Sequence, residues 1–331
     1  MTENRNFKRR VRARVVKTGE SYTTALMHLR DAKATGVRPQ SNSLRLAVAQ
    51  SGYFDDPRDA AALRLAGEKI RHLMRDAHRA GARVVHFPEG ATCFPNKRIM
   101  SAIGPREIGP SDWRRFDWTV LREELDATRT LARELGLWTV LGSVHPLTEP
   151  HRPHNSLYVI SDKGTVATRY DERMLSNTKI SFMYTPGSIP LTFDVDGVRF
   201  GCTLGIECHF PELFIEYERL NVDCVLFSTT GGSLPIDLAF AAEVQGHASS
   251  NRYWASFAVL AQPGLVAPSG IVAPDGQWAV RCAGDEPSIV VADIGNDPCD
   301  PARPWRRQAR DGIYDPHIVD DDPRSNSRDM F

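Results

Sequence analysis

Residues 200–212 read Phe-Gly-Cys-Thr-Leu-Gly-Ile-Glu-Cys-His-Phe-Pro-Glu. The first half is a run of apolar and small residues, Arg199 to Leu204, of the kind that forms a strand buried on both faces. Gly205 ends that run, and a helix follows from Glu212 to Leu220. A second apolar run, Cys224 to Ser228, then gives another buried strand. Two buried strands joined through a helix are the signature of a parallel α/β unit.

Working outward, the same alternation continues. Leu44 to Gln50, Arg83 to Phe87 and Trp138 to Val144 read as strands. Between them lie amphipathic helices, Asp59 to Ala80 closed by Gly81 and Leu121 to Leu135 ended by Gly136. Asn155 to Ile160 and Gly164 to Tyr170 form a hairpin around Asp162-Lys163-Gly164, and Leu191 to Asp194 is a further strand. After a helix over Leu238 to Tyr253, strands at Ala255 to Ala261, Ser269 to Ala273 and Ser288 to Asp293 complete the pattern. Hairpins mixed with helical crossovers, and no internal repeat, predict a layered α/β domain of two sheets covered by helices.

The whole chain has 331 residues, with 41 Lys plus Arg against 41 Asp plus Glu, so its formal net charge is zero. That balance removes any whole-chain electrostatic case for a nucleic-acid partner. No apolar run is long enough to span a membrane, and the basic N-terminus lacks the apolar core of a secretory signal. The six cysteines, Cys93, Cys202, Cys208, Cys224, Cys282 and Cys299, contain no CxxC pair. They read as reduced, buried thiols of a cytoplasmic protein. Residues 1–43 form a basic arm (Arg5, Lys8, Arg9, Arg10, Arg12, Arg14, Lys17), a short helical segment and a linker. Without interleaved aromatics, a solvated leader is the better reading of that arm than an anionic-partner tail. The domain is expected over 44–314, followed by a polar tail over 315–331.

Several strings, taken in order, resemble the carbon–nitrogen hydrolase (nitrilase) superfamily. They are LRLAVAQ at 44–50, VVHFPEG at 84–90, HNSLYVI at 154–160, YDERML at 170–175, YTPG at 184–187, FGCTLGIECHFPE at 200–212 and SGIVAPDG at 269–276. The resemblance implies a four-layer αββα sandwich and homo-oligomers, dimers or larger. It also implies hydrolysis of an amide, nitrile or carbamoyl group by a cysteine thiolate, with a glutamate as base and a lysine beside the developing oxyanion. An amide carbon is poorly electrophilic, so the reaction is split into thioester formation and breakdown. The thiol needs a carboxylate to take its proton, and the oxyanion needs a fixed cation.

Glu89, in Pro-Glu-Gly at a strand end, matches the family's base. The lysine position holds Glu172 instead. Arg173 beside it is expected on the other face, and Lys179 lies seven residues on. A charge swap between Glu172 and Lys179 would keep an ion pair while moving the cation. Spacing from both ends of 200–212 puts Gly205 at the nucleophile position, with Glu207 matching the acidic residue two later. Glycine has no side chain to attack with, and losing a triad nucleophile costs a factor on the order of 10⁶ in turnover.

Cys208, with His209 beside it, is the candidate surrogate nucleophile, whereas Cys202 reads as core. His247 falls where the resemblance places a pocket residue. His145, His151 and His154 lack the partners of a metal site, and no phosphate loop is present, so no metal or cofactor is expected.

Three readings follow. The first is a hydrolase-fold protein without thiol chemistry that binds an amide-like small molecule or a partner subunit. The second is a repurposed enzyme using Glu89 and Glu172 as paired carboxylates, Gly205 leaving room for substrate. The third is an amidase using Cys208 and Lys179.

Overall fold

The computed structural model describes residues 42–231, 236–297 and 300–326. The basic arm, apart from its last two residues, Cys299 and the end of the polar tail therefore lie outside the described residues. Elements follow the chain as β1 (Ser43–Gln50), α1 (Ala60–Arg79), β2 (Val84–His86), the short α2 (Lys97–Met100), α3 (Trp118–Leu135), β3 (Trp138–His145), β4 (His154–Ile160) and β5 (Val166–Asp171). The second half holds β6 (Thr192–Val195), β7 (Val198–Leu204), α4 (Pro211–Arg219), β8 (Cys224–Ser228), α5 (Ile236–Asn251), β9 (Trp254–Ala258), β10 (Gly270–Val272), β11 (Trp278–Arg281) and β12 (Ser288–Gly295).

These strands form two six-stranded sheets, in the orders β12-β1-β2-β3-β4-β5 and β11-β10-β9-β8-β7-β6. In each sheet the central strands run parallel, β1-β2-β3 and β7-β8-β9, and antiparallel strands flank them. The two-residue period of a strand explains the layering. In β1, Leu46 and Val48 point into a core shared with Phe200, Cys202, Leu204 and Leu226 of the other sheet. Ala47 and Ala49 point the opposite way, onto Ile70, Leu73 and Met74 of α1. On the second sheet, Val225 and Phe227 likewise pack outward on Leu213 and Phe214 of α4 and on Phe240 and Val244 of α5. Helix, sheet, sheet, helix is the expected four-layer αββα sandwich.

Element boundaries follow local chemistry. The Asp59 carboxylate accepts from Ala62 N at 3.0 Å and starts α1. Asp117 does the same for Val120 N, so α3 begins at Trp118, three residues before the sequence-based expectation. It ends on Gly136 at φ 61°. The strand β11, Trp278 to Arg281, was not expected from sequence. Its side chains alternate between half-buried and exposed, because it is an edge strand.

Contacts divide the chain after Asn296. Of the described residues beyond it, Ala302–Arg310 form helix α6, and Trp305 meets Tyr314 edge-on at 6.2 Å.

Candidate functional site

Each strand end delivers one part of the site. β2 runs out through Phe87 and Pro88 to Glu89. Phe87 N donates to Val140 O, and Phe87 O accepts from Ser228 Oγ at 3.0 Å. Because Ser228 spends its proton there, His86 Nε2, 2.7 Å from Ser228 Oγ, must be the donor in that pair. Its Nδ1 then accepts from Ser256 Oγ at 2.9 Å. Burial holds this imidazole neutral, pushing it down to about 3. The strand end that presents Glu89 is thus bonded across to the second sheet.

Glu172 follows β5. Its N donates to Asn155 O at 2.9 Å and its O accepts from Gly187 N at 2.8 Å, which pins the backbone on both sides. Lys179 opens a π-helical turn, Lys179–Met183. Turns of this wide type recur at functional sites. Gly205 follows β7 at φ 55°, in the left-handed region that penalises a side chain.

These residues converge. Lys179 Nζ lies 2.5 Å from Glu89 Oε1 and 2.9 and 2.7 Å from the two oxygens of Glu172. Asn155 Nδ2 bridges the same carboxylates, 2.9 Å from Glu89 Oε1 and 2.6 Å from Glu172 Oε2. Side-chain exposure is 2% for Glu89, 0% for Glu172 and 10% for Lys179. A Cβ placed on Gly205 would stand 2.6 Å from Glu172 Oε1, 2.9 Å from Lys179 Nζ and 3.3 Å from Glu89 Oε2. The elbow at 205 therefore points into the middle of the cluster. The room that the glycine was expected to leave for substrate is instead filled by the Glu172 carboxylate and the Lys179 ammonium.

The electrostatics follow from burial. Loss of solvent pushes the Glu172 carboxyl up to about 8; Lys179 pulls it down, while Glu89 and Glu207 push it further up. For Lys179, burial alone would lower the pKa. The two carboxylates outweigh it and hold the group above its ordinary value, as an ammonium. An amine so held is a fixed cation and not a nucleophile.

Glu207 braces the elbow from below. It accepts from Leu204 N at 2.7 Å, from Arg173 N at 2.6 Å and from Tyr170 Oη at 2.7 Å. It thereby ties the end of β7 to the segment that carries Glu172. Burial raises its carboxyl despite these bonds. Arg173 does turn away, its Nη1 pairing with Glu216 at 2.8 Å.

Other sequence candidates lie elsewhere. Cys208 is buried with Leu213, Phe240 and Val244 in the helix-covered outer layer, its Sγ 3.8 Å from Phe240 O. Burial, followed by Glu243, raises its thiol well above the ordinary value, which disfavours a thiolate. His209 does not join it as a base: its Nδ1 is 2.8 Å from Glu243 Oε2. His247 donates from Nε2 to Cys208 O at 2.8 Å and stacks on Phe214 at 3.8 Å between centroids. Cys202 sits in the inter-sheet core as expected. His145 bonds Tyr158 and His154 bonds Thr185 O, and among the described residues no group of His, Cys, Asp or Glu could hold a metal.

Two features escaped the sequence reading. Asn155 stood out only as part of a fold-bearing string, and nothing local marks it as the bridge between two carboxylates. The second is a cavity of about 270 Å³ whose lining includes Tyr53, Phe94, Lys97, Arg98, Lys179 and Met183. Of the charged cluster, Lys179 alone lines it.

Comparison with known proteins agrees with this architecture. The profile of the family described as Carbon-nitrogen hydrolase matches residues 45–304. Hydrolase Rv0480c of Mycobacterium tuberculosis (strain ATCC 25618 / H37Rv) is 28% identical over 275 residues, covering 77% of this chain and 90% of that protein. Among solved structures, a mutant of the Nesterenkonia AN1 amidase from the nitrilase superfamily superposes with a TM-score of 0.66. It is 17% identical, covering 85% of this chain and 99% of that one. Another form of that amidase, in complex with butyramide, gives 0.65 at 19% identity, over 85% and 99% of the two chains. At such identities the structural likeness speaks to the fold alone. With its sequence matched over most of its length and the sandwich in place, the chain belongs to the carbon-nitrogen hydrolase family.

Proposed function

We propose that this chain is a carbon–nitrogen hydrolase-fold protein that has given up thiol hydrolysis and binds an amide-like small molecule beside a fixed ammonium. In this reading Gly205 stands at the nucleophile position, Glu172 at the lysine position, and Lys179 supplies the displaced cation. The observation that carries it is the crowding at the elbow. A Cβ at 205 falls 2.6 Å from Glu172 Oε1 and 2.9 Å from Lys179 Nζ. Neither a nucleophile nor an acyl carbon fits there while those two groups hold their places. The surrogate expected from sequence, Cys208, offers no substitute, since it is sealed in the outer helix layer.

The test is ammonia release from a panel of amides, nitriles and carbamoyl compounds. The expected result is no release above the blank, unchanged in Cys208→Ser. Turnover in wild type that Cys208→Ser abolishes would overturn the reading. The double variant Gly205→Cys with Glu172→Lys restores thiol and lysine together. It is expected to form a covalent adduct with fluoroacetamide, the reagent whose acetamide moiety adds to the active-site cysteine in a mutant of the Nesterenkonia amidase.

A second reading rests on the raised Glu172 carboxyl. A carboxylic acid still protonated near neutrality, sharing one ammonium with Glu89, is suited to proton transfer. A bell-shaped pH profile for any activity found, collapsing in both Glu89→Gln and Glu172→Gln, would favour it.

A further inference from the structure

The cavity beside Lys179 is one-sided in charge. Its lining carries the cations of Lys97, Arg98 and Lys179 and no carboxylate, set against an apolar wall that includes Tyr53, Phe94 and Met183. The cations are not equivalent. Lys179 has its protons committed to Glu89 and Glu172. Arg98 gives Nη1 to the backbone carbonyl of Arg106 at 2.8 Å, which fixes the guanidinium without neutralising it. Lys97 is exposed and, among the described residues, has no ion pair. Asn96, between the apolar wall and these cations, is spent on Asp55 and on the backbone of Arg98 and Ile99. The unspent charge therefore sits at the mouth, on Lys97 and Arg98, and the neutralised ammonium sits at the inner end.

From this placement we infer that the ligand is a small amide that also carries a carboxylate, its acid group held by Lys97 and Arg98 and its amide end turned toward Lys179. The inference deepens the binding reading above and rests on it. A guanidinium already oriented by a backbone bond loses little freedom on meeting a carboxylate, and a charge-assisted bond is about twice as strong as a neutral one. No carboxylate lines the mouth itself; Asp55 stands behind it, bonded to Asn96 Nδ2 at 2.8 Å, so an anion there would meet Lys97 and Arg98 first. A cationic amide would meet the like charges of Lys97 and Arg98 at the mouth.

The probes are three compounds of matched length: succinamate, the neutral succinamide and the cationic 4-aminobutanamide. Binding is followed by calorimetry at low ionic strength, with ammonia measured in the same samples. Succinamate is expected to bind roughly tenfold or more tightly than succinamide, one good charge-assisted bond being worth about that factor. 4-Aminobutanamide is expected to bind most weakly. In Lys97→Ala with Arg98→Gln, the ratio of succinamate to succinamide affinity should fall to about one. Equal binding of acid and neutral amide, survival of the acid preference in the double variant, or no binding of any probe would each overturn the inference. Ammonia release with the acid preference intact would overturn the non-hydrolytic reading and leave this one standing.

Discussion

Two ion clusters of identical stoichiometry flank β2, one at each end, and only the first reaches across to the second sheet. At its start Arg83 is 2.7 Å from Asp196 in the β6–β7 hairpin and 2.8 Å from Asp162 in the β4–β5 hairpin, and also donates to Gly136 O. Past its end Glu89 shares Lys179 with Glu172. Each cluster is one cation between two carboxylates. The difference is water: side-chain exposures are 30, 26 and 50% in the first and 10, 2 and 0% in the second. Exposed pairs gain little because solvent competes for every partner. Buried ones cannot lose a partner without stranding the rest. The same charges act as a surface clip in one place and as a chemically tuned constellation in the other.

The largest expected break in that comparison is Lys179→Met. It leaves two carboxyls facing each other without a cation, at a cost of roughly 3–5 kcal/mol. Denaturant midpoints should show that loss at pH 8 and a smaller one at pH 5, where the carboxyls can take up protons. A variant as stable as wild type at pH 8 would place the cluster with the surface clip.

Next is the pH dependence of the wild type. Glu172 has its folded pKa raised to about 8, above the ordinary 4.5, so the folded state keeps a proton that the unfolded state has lost. Its contribution is complete below about 4.5 and fades as pH rises through 8. Stability should fall with pH across that window, with a slope of at most about 1.4 kcal/mol per unit. Glu172→Gln should flatten the slope; a slope that survives the substitution assigns it to another group.

The smallest effect is expected for Arg83→Met. The group is about a third exposed, so solvent screening leaves at most about 1 kcal/mol, and that loss should shrink further in high salt. Measuring it beside Lys179→Met in low and high salt sharpens the contrast, since the buried cluster should be nearly insensitive.

Most of the fold was legible because its strands obey a simple period. Leu46 and Val48 against Ala47 and Ala49 already say that one face meets a sheet and the other a helix. Two positions of the site were also legible by counting. Gly205 follows from its distance to Gly201 and Pro211, and the pairing of Glu172 with Lys179 from their opposite charges in one loop. What the sequence concealed was space. A glycine reads as vacancy, yet at 205 the vacancy is occupied from two other loops. Cys208 was a candidate by proximity, three residues from the elbow, but the turn after β7 carries its thiol to the helix side. Asn155 bridges Glu89 and Glu172 across 66 and 17 residues of chain, so no local pattern could mark it.

The crowding at the elbow also constrains how this chain could have come about. A side chain at 205 and the Glu172 carboxylate compete for one volume, so neither position can change freely while the other is kept. On the proposed reading, in which Gly205 stands at the nucleophile position, cysteine to glycine would have had to come first, or together with the arrival of Glu172, because the reverse order passes through an overfilled site. Among related sequences the two positions should therefore covary, glycine at 205 accompanying glutamate at 172, and a mixed state should be rare. The pair would then record a direction of descent, from a hydrolase toward a site whose old route back is closed to single substitutions.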